Sequence, residues 1–204
     1  MSVRLVTPPA VEPVDLESLK RHLRVEHNED DELIATLGQA AREFGETYTR
    51  RAWMTQTWER VIDTFPWSAL SLPYPPVQSI ESVTYVDRNG ATQTWAADQY
   101  TLDLAGDGGF GRLYPVFGGV YPTDLRWHPG GVVVRFVAGY GDVPETLADP
   151  LAASVPAAGR AALKLIVGHL YAHREESVVG TIISTIPFSA RTLLATMRLD
   201  GGCY

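Results

Sequence analysis

The spacing of apolar residues divides the chain into three stretches. Between residues 14 and 51 apolar side chains recur every three or four positions, which is typical of helices that bury one face. From about residue 53 to 138 the spacing changes to two and turn residues become frequent, which predicts strands. Helical spacing returns after residue 156. This order predicts an α+β fold, in which N-terminal and C-terminal helices pack as a small bundle with an inserted antiparallel β domain.

These changes of pattern also predict the domain boundaries. We expect an N-terminal helical part at 1–52 and an antiparallel β domain at 53–141 that carries a glycine-rich loop at 105–131. A linker and a third helix at 142–176 complete the helical bundle, and a C-terminal arm and terminal helix occupy 177–204.

Local signals predict where the helices begin and end. Asp15 can cap a short first helix, and the acidic run at 28–32 suits the start of a second, because carboxylates favour the positive end of a helix dipole. A third helix is expected at 156–176 and a last one at 188–199.

Within the β domain, residues 57–63 and 80–86 alternate as strands do, and Asn89-Gly90 predicts a hairpin turn. Further strands are expected at 91–95, 99–104, 111–115 and 132–138. The last of these is the most apolar and is therefore predicted to be the central strand.

The loop at 105–131 holds eight glycines, three prolines and several aromatic residues. Long loops are often functional, and aromatic rings among glycines suit a contact surface for another protein. Alternatively, the loop folds back and buries those rings in its own core. The pattern leaves both interpretations open for the five rings, namely Phe110, Tyr114, Phe117, Tyr121 and Trp127.

The apolar residues of the C-terminal part indicate that it binds a partner. The arm at 178–186 is β-prone, carries no charged residue and is too apolar to be left bare in water. We expect it and the terminal helix to contact another subunit or protein. The candidate interface residues are Val178, Val179, Ile182, Ile183, Ile186, Phe188, Leu193, Leu194 and Met197.

Composition narrows the function classes. A net charge of −7 disfavours sequence-independent binding of DNA, which needs a basic surface. No apolar run approaches the roughly 20 residues that span a membrane, and the first residues do not resemble a secretory signal. A single cysteine, Cys203, permits no intramolecular disulfide and fits assembly in a reducing cytoplasm.

The sequence contains no strong motif for metal binding, nucleotide binding or catalysis. His169 and His173 have the spacing of two metal ligands on a helix, but Leu170 stands where a zinc protease carries its general base. The glycines at 106–111 lack the Lys of a phosphate loop and indicate a turn. We therefore predict no catalytic residue, metal or cofactor. Two alternatives remain, a metal-dependent enzyme that uses His169 and His173, and a DNA-binding module.

The ordered motifs resemble a known family. They are Leu5-Val6-Thr7-Pro8-Pro9, the segment 19–25 in the first helix, the segment 48–58 where the helix gives way to the sheet, and the segments at 72–80, 83–90, 134–141, 168–175 and 178–180. Together they are similar to the phage head–tail connector family described as gp6-like or phiE125 gp8-like, and to adaptor proteins of gene transfer agents. Two features depart from the family. Arg50 stands where the family tends to have Gly, which puts a left-handed turn there in doubt. The chain also carries an extra segment between Pro144 and Val155.

The resemblance implies a structural adaptor and not an enzyme. Such a protein forms a ring, expected to be dodecameric, between the portal and a stopper or tail component of a phage or phage-like particle. It leaves a channel through which DNA passes without specific binding, and it contacts no membrane. The implied location is the head–tail joint of a virion that is assembled in the cytoplasm of a bacterial host.

Overall fold

A computed structural model describes residues 2–105, 110–173 and 187–199. The chain divides into two compact units. The sheet unit contains Met1–Pro9 and Thr55–Gly139, and the helical unit contains Ala10–Met54 and Tyr140–Asp200. Helices and antiparallel sheets coexist, so the predicted α+β class is confirmed.

The larger sheet of the sheet unit has five antiparallel strands. In spatial order they are β1 (Ser2–Thr7), β2 (Gln56–Ile62), β8 (Val132–Ala138), β4 (Val77–Val86) and β5 (Thr92–Thr94). The apolar strand β8 is central, as predicted, since it lies between β2 and β4. Its residues Val132, Val134 and Phe136 are all fully buried. Strand β1 was not predicted. Its sequence alternates only over Ser2-Val3-Arg4-Leu5, and most of its residues are exposed, so the strand has little apolar signal of its own.

A second sheet contains β3 (Leu70–Leu72), β7 (Gly111–Pro115) and β6 (Tyr100–Asp103), with β7 in the middle. A short 3-10 helix at Ala97–Gln99 precedes β6. The strands of the predicted antiparallel β domain therefore divide between two sheets. Gly111 explains part of the close packing, because a Cβ atom there would lie 2.9 Å from Cβ of Val77 on the larger sheet.

The helical unit contains α1 (Leu16–Leu23), α2 (Asp31–Thr49), α3 (Ala157–Ala172) and α4 (Phe188–Ala195). Asp15 caps α1 as predicted, since its carboxylate accepts a hydrogen bond of 2.8 Å from the Ser18 amide. Trp53, Ile34 and Leu163 are among the largest fully buried side chains of this unit. Its apolar core draws on all four helices.

Helix α2 ends in a left-handed turn at Arg50. The backbone there has φ 57° and ψ 36°, and the Arg50 amide donates to the Glu46 carbonyl. The turn that a glycine would favour is therefore retained without a glycine. The expectation that Arg50 puts this turn in doubt is wrong.

Helix α4 is part of the core of the helical unit. Leu194 is fully buried, Met197 is 8% exposed, and the Arg51 guanidinium donates to the Met197 carbonyl at 2.7 Å. The Leu199 amide also donates to the Thr49 carbonyl at the end of α2. The terminal helix therefore has partners within its own unit, and its contact with another subunit or protein stays a prediction.

Candidate interaction surfaces

The sheet unit contains a groove of about 980 Å³ that is lined mainly by aromatic rings and prolines. We call it the aromatic groove. It lies between the loop at 64–69, which follows β2, and the segment at 112–127, which runs from β7 towards β8. Phe65 and Tyr121 stack within it, with their ring centroids 4.9 Å apart.

The wall formed by Tyr121 is held in place by polar and aromatic contacts. Its hydroxyl lies 2.9 Å from the Ser68 carbonyl and 3.0 Å from the Leu113 carbonyl, so it joins the two sides of the groove. Burial raises the pKa of this hydroxyl above its ordinary value, so it remains a donor at neutral pH. Trp95, which is 3% exposed, packs 5.4 Å from the Tyr121 ring. The groove is therefore preformed in the isolated chain.

The rim of the groove is apolar and open to solvent. The exposed fractions of Trp67, Val120 and Trp127 are 107%, 72% and 71%, and Phe117, just outside the groove, is exposed to 108%. Single exposed apolar residues are common, whereas clusters of them are typical of interaction sites. Aromatic residues are also enriched where proteins bind one another.

Arg112 is the only charged residue among the described residues that line the groove. Its Nη2 atom donates to the Asp103 carboxylate at 2.8 Å, and its guanidinium lies 6.0 Å from the centre of the Tyr114 ring. The Arg112 Nε atom is buried and has no hydrogen-bond partner. The side chain of Arg112 remains 41% exposed, so the guanidinium has donors to spare for another group.

The structure divides the five rings that were predicted to form a contact surface. Tyr114, Tyr121 and Trp127 line the aromatic groove. Phe117 is exposed outside it, and Phe110 is half-buried. Tyr121 folds back onto its own unit, as the second interpretation expected, whereas Phe117 and Trp127 stay exposed. The role of these rings as a contact surface stays a prediction.

Sequence analysis missed the other side of the groove, which is formed by Phe65, Pro66 and Trp67. An aromatic–proline–aromatic run between two strands was the available signal, because a proline with two large rings is unusual in a simple connection.

The predicted C-terminal interface residues fall into three groups. Val178, Val179, Ile182, Ile183 and Ile186 lie outside the described residues. Phe188 is 85% exposed and Leu193 is partly buried. Leu194 and Met197 are covered by the helical unit itself, so their apolar character needs no partner to explain it.

The extra segment after Pro144 is anchored by a buried ion cluster. Glu145 is 4% exposed and accepts hydrogen bonds from Lys164 and from Nη1 of Arg160, the latter at 2.5 Å. Arg160 also donates to the Pro150 carbonyl at 2.7 Å. Leu151 nevertheless points outward, with 87% of its surface exposed. The segment is therefore fixed at its base and presents an apolar side chain.

The histidine pair lies where the helical spacing places it. The His169 and His173 rings are 4.6 Å apart, and Nδ1 of His173 lies 2.9 Å from the His169 carbonyl. Within residues 2–105, 110–173 and 187–199, no three or more His, Cys, Asp or Glu residues gather in a way that could hold a metal. Among the helices in those same ranges, none has the length and apolarity needed to cross a membrane.

Comparison with known proteins finds one matching family model. Residues 13–85 match the phage gp6-like head–tail connector protein family. The matched region runs from just before α1 into β4 and so includes parts of both units. Curated protein sequences provide no match.

Solved structures match over the whole chain. A chain in the neck of an empty GTA particle, computed with C6 symmetry, has a TM-score of 0.75 at 20% identity. A chain in the virion of a native gene transfer agent (GTA) particle has a TM-score of 0.74 at 21% identity. A chain in the neck of a native GTA particle, computed with C12 symmetry, has a TM-score of 0.73 at 20% identity. In each case the match covers 100% of this chain and 98% of the other, which establishes the shared fold.

Proposed function

We propose that this protein is a structural adaptor that forms a ring at the head–tail joint of a tailed phage or phage-like particle. The observation that carries the proposal is the full-length likeness to chains in particle necks, together with the connector-family match at 13–85. In this role the protein is not an enzyme, and it acts by binding its neighbours. Its site of action is the virion, and it is assembled in the cytoplasm of the bacterial host.

The ring is proposed to contain twelve copies, with the portal on one side and a stopper or tail-completion protein on the other. The C6 and C12 symmetries in the descriptions of the neck structures support a subunit number divisible by six. Head-to-tail contacts between identical subunits close into such rings. DNA passes through the central channel without specific binding, in keeping with the net charge of −7.

Portal docking is assigned to the arm at 178–186 together with Phe188. Support comes from the apolar, uncharged sequence of the arm and from the exposure of Phe188 next to it. Leu194 and Met197 are left out of the docking surface, because they fill the core of the helical unit.

Mixing the purified protein with the portal of the same particle tests the proposal. We expect wild-type protein to bind portal rings in a fixed ratio, measured by native mass spectrometry and imaged by electron microscopy. Failure of wild-type protein to bind the portal would overturn the adaptor assignment.

A substitution set tests the docking segment. Replacing Val178, Val179, Ile182, Ile183 and Ile186 by Ser is preferable to deleting 177–204, because the deletion also removes α4 from the core. We expect this variant to lose portal binding and keep its thermal stability. The matched control replaces the exposed Leu147 and Leu151 by Ser and is expected to bind normally. Normal binding by the arm variant would refute docking through the arm.

A further inference from the structure

The aromatic groove lies at one end of the larger sheet, and the chain connections lie at the other. In the described residues the chain leaves the sheet unit after β1, enters it before β2 and leaves it after β8. The register pairs Thr7 with Thr57 and Gln56 with Ala138, so these three connections share one end. Ile62 pairs with Val132 at the opposite end, where the loops that form the groove begin and return. The groove is thus remote from the connections to the helical unit.

We propose that the aromatic groove binds an extended, proline-containing segment of the tail-side partner, with a carboxylate of that segment paired to Arg112. The inference rests on the proposed adaptor function, and it names the chemistry of the partner on the tail side. It is carried by three features of the groove, namely its ring faces, its shortage of backbone donors and its single charge.

The lining favours an extended segment over an added strand. Pro66, Pro115 and Pro122 contribute walls without backbone N–H groups, so the groove offers few donors for a strand ladder. The groove instead presents the flat rings of Trp67 and Trp127 and the stacked rings of Phe65 and Tyr121. Proline-rich segments in the polyproline conformation bind to aromatic grooves of this kind, because they are extended before they bind and lose little entropy.

The charge favours a carboxylate. Asp103 uses one Nη2 donor of Arg112, and the side chain stays 41% exposed, so the other Nη donors are open to a group in the groove. A carboxylate can accept two hydrogen bonds from a guanidinium, which adds geometric selectivity to the charge attraction. The pair would form next to the Tyr114 ring, whose centre lies 6.0 Å from the guanidinium carbon.

Selection from a displayed library of random dodecapeptides tests the proposal on the intact protein. The library is depleted on a variant with Trp67→Ala and Trp127→Ala and is then selected on wild-type protein. Both tryptophans are strongly exposed, so this variant is expected to keep the wild-type fold. We expect enrichment of peptides that combine proline with Asp or Glu.

Binding of one synthetic enriched peptide then measures each contribution by fluorescence polarisation. We expect the double tryptophan variant and Arg112→Gln each to weaken binding at least about tenfold. Changing the peptide acid to its amide should weaken binding to wild-type protein and leave binding to Arg112→Gln unchanged. Phe117→Ala is the matched control, since this ring is equally exposed but lies outside the groove, and it should have no effect.

Two results would overturn the proposal. One is the absence of enrichment over the depleted pool, or enrichment of peptides without proline and acid. The other is a change in the oligomeric size of the protein alone when Trp67 and Trp127 are replaced, which would assign the groove to a second copy of the chain.

A portal-binding assay tests the adaptor proposal independently of the groove. The double tryptophan variant should bind portal as the wild type does. If wild-type protein fails to bind portal but the peptide results hold, then the groove assignment stands and the adaptor role falls.

Discussion

Two arginines adopt left-handed backbone conformations at the ends of helices. Arg24 follows α1 with φ 59°, and Arg50 follows α2 with φ 57°. This region costs an L-residue roughly 1–2 kcal/mol, and glycine avoids the cost because it has no Cβ. At Arg50 the strain remains because the surrounding contacts determine the turn, which includes the Arg51 amide donating to the Glu46 carbonyl.

Arg50→Gly is expected to be more stable than Arg50→Ala by about 1 kcal/mol. Both changes remove the same side chain, so their difference reports the backbone conformation alone. At the exposed α2 position Ala40 the order should reverse, with Ala40→Gly less stable than wild type by about 1 kcal/mol. Urea denaturation measures all of these variants. Equal stability of the two Arg50 variants would show that the turn is not left-handed in solution.

Glu145 connects the extra segment to α3 through buried charges. Its carboxylate meets both Arg160 and Lys164, and its own side chain is 6% exposed. Removing one partner of a buried ion pair is costly, because the remaining charge stays buried without compensation.

Glu145→Gln is therefore expected to lower the free energy of unfolding by about 3 kcal/mol. Glu26→Gln, at an exposed position between α1 and α2, is the matched control and should change stability by less than about 0.5 kcal/mol. Chemical denaturation gives both values. A loss below about 1 kcal/mol at Glu145 would mean that water or a rearranged side chain replaces the carboxylate.

At the scale of elements, strand β1 is attached to its sheet by a charged contact. Glu59 on β2 is 3% exposed and accepts hydrogen bonds from Arg4 on β1 and from Arg135 on β8. Burial alone would raise the pKa of Glu59, but the hydrogen bonds from Arg135 and Arg4 outweigh it and hold the pKa below its ordinary value. The folded state therefore binds fewer protons than the unfolded state as the pH falls.

The resulting stabilisation is fully present above the ordinary glutamate pKa of 4.5 and is lost as the pH falls through the lower pKa of the folded state. We expect the stability difference between wild type and Glu59→Gln to be constant from pH 7 to about 5 and to shrink below about pH 4. Urea midpoints across this range provide the measurement. A difference that stays constant down to pH 3 would contradict the assigned pKa shift.

Helix α4 contributes apolar volume to the helical unit. Leu194→Ala is expected to destabilise the protein by about 2–4 kcal/mol, because it leaves a cavity in a core that has few ways to collapse. Phe188→Ser, on the exposed surface of the same helix, should cost much less and serves as the control. Thermal and chemical denaturation compare the two. Similar losses for both would mean that α4 does not pack as described.

Several of these elements could be predicted from the sequence because local rules determine them. Asp15 caps α1 through its own carboxylate, and the apolar run of β8 indicates a strand in the middle of the sheet. Strand β1 could not be predicted, since it is held by Arg4 meeting Glu59, a residue 55 positions away. Only one side of the aromatic groove could be predicted, because the groove also depends on contacts between residues far apart in the sequence. Its loop at 105–131 stands out in the sequence, whereas its meeting with Phe65 and Trp67 depends on how the strands pair.

At the scale of the whole molecule, the charge separates the proposed function from its nucleic-acid alternative. A chain with a net charge of −7 is not expected to retain DNA, because non-specific binding depends on releasing counterions from phosphates. A protein that surrounds a channel benefits from this, since DNA can move past it without being held.

Purified protein is expected to cause no shift of a duplex in a gel assay at micromolar concentration and about 50 mM salt. A basic DNA-binding domain in the same gel provides the positive control. Retention of the duplex that falls steeply as salt is raised would favour a DNA-binding module and would count against a passive channel.

The three connections at one end of the larger sheet have a mechanical consequence. They attach to β1, β2 and β8, which are neighbours in the sheet. A force applied along these connections pulls three adjacent strands from the same end, so the strands share the load and are not drawn past one another. A single connection at a sheet edge would instead place the whole load on one strand, which could then separate from its neighbour. In the proposed ring, this arrangement lets the sheet unit carry a load without losing the edge strand β1.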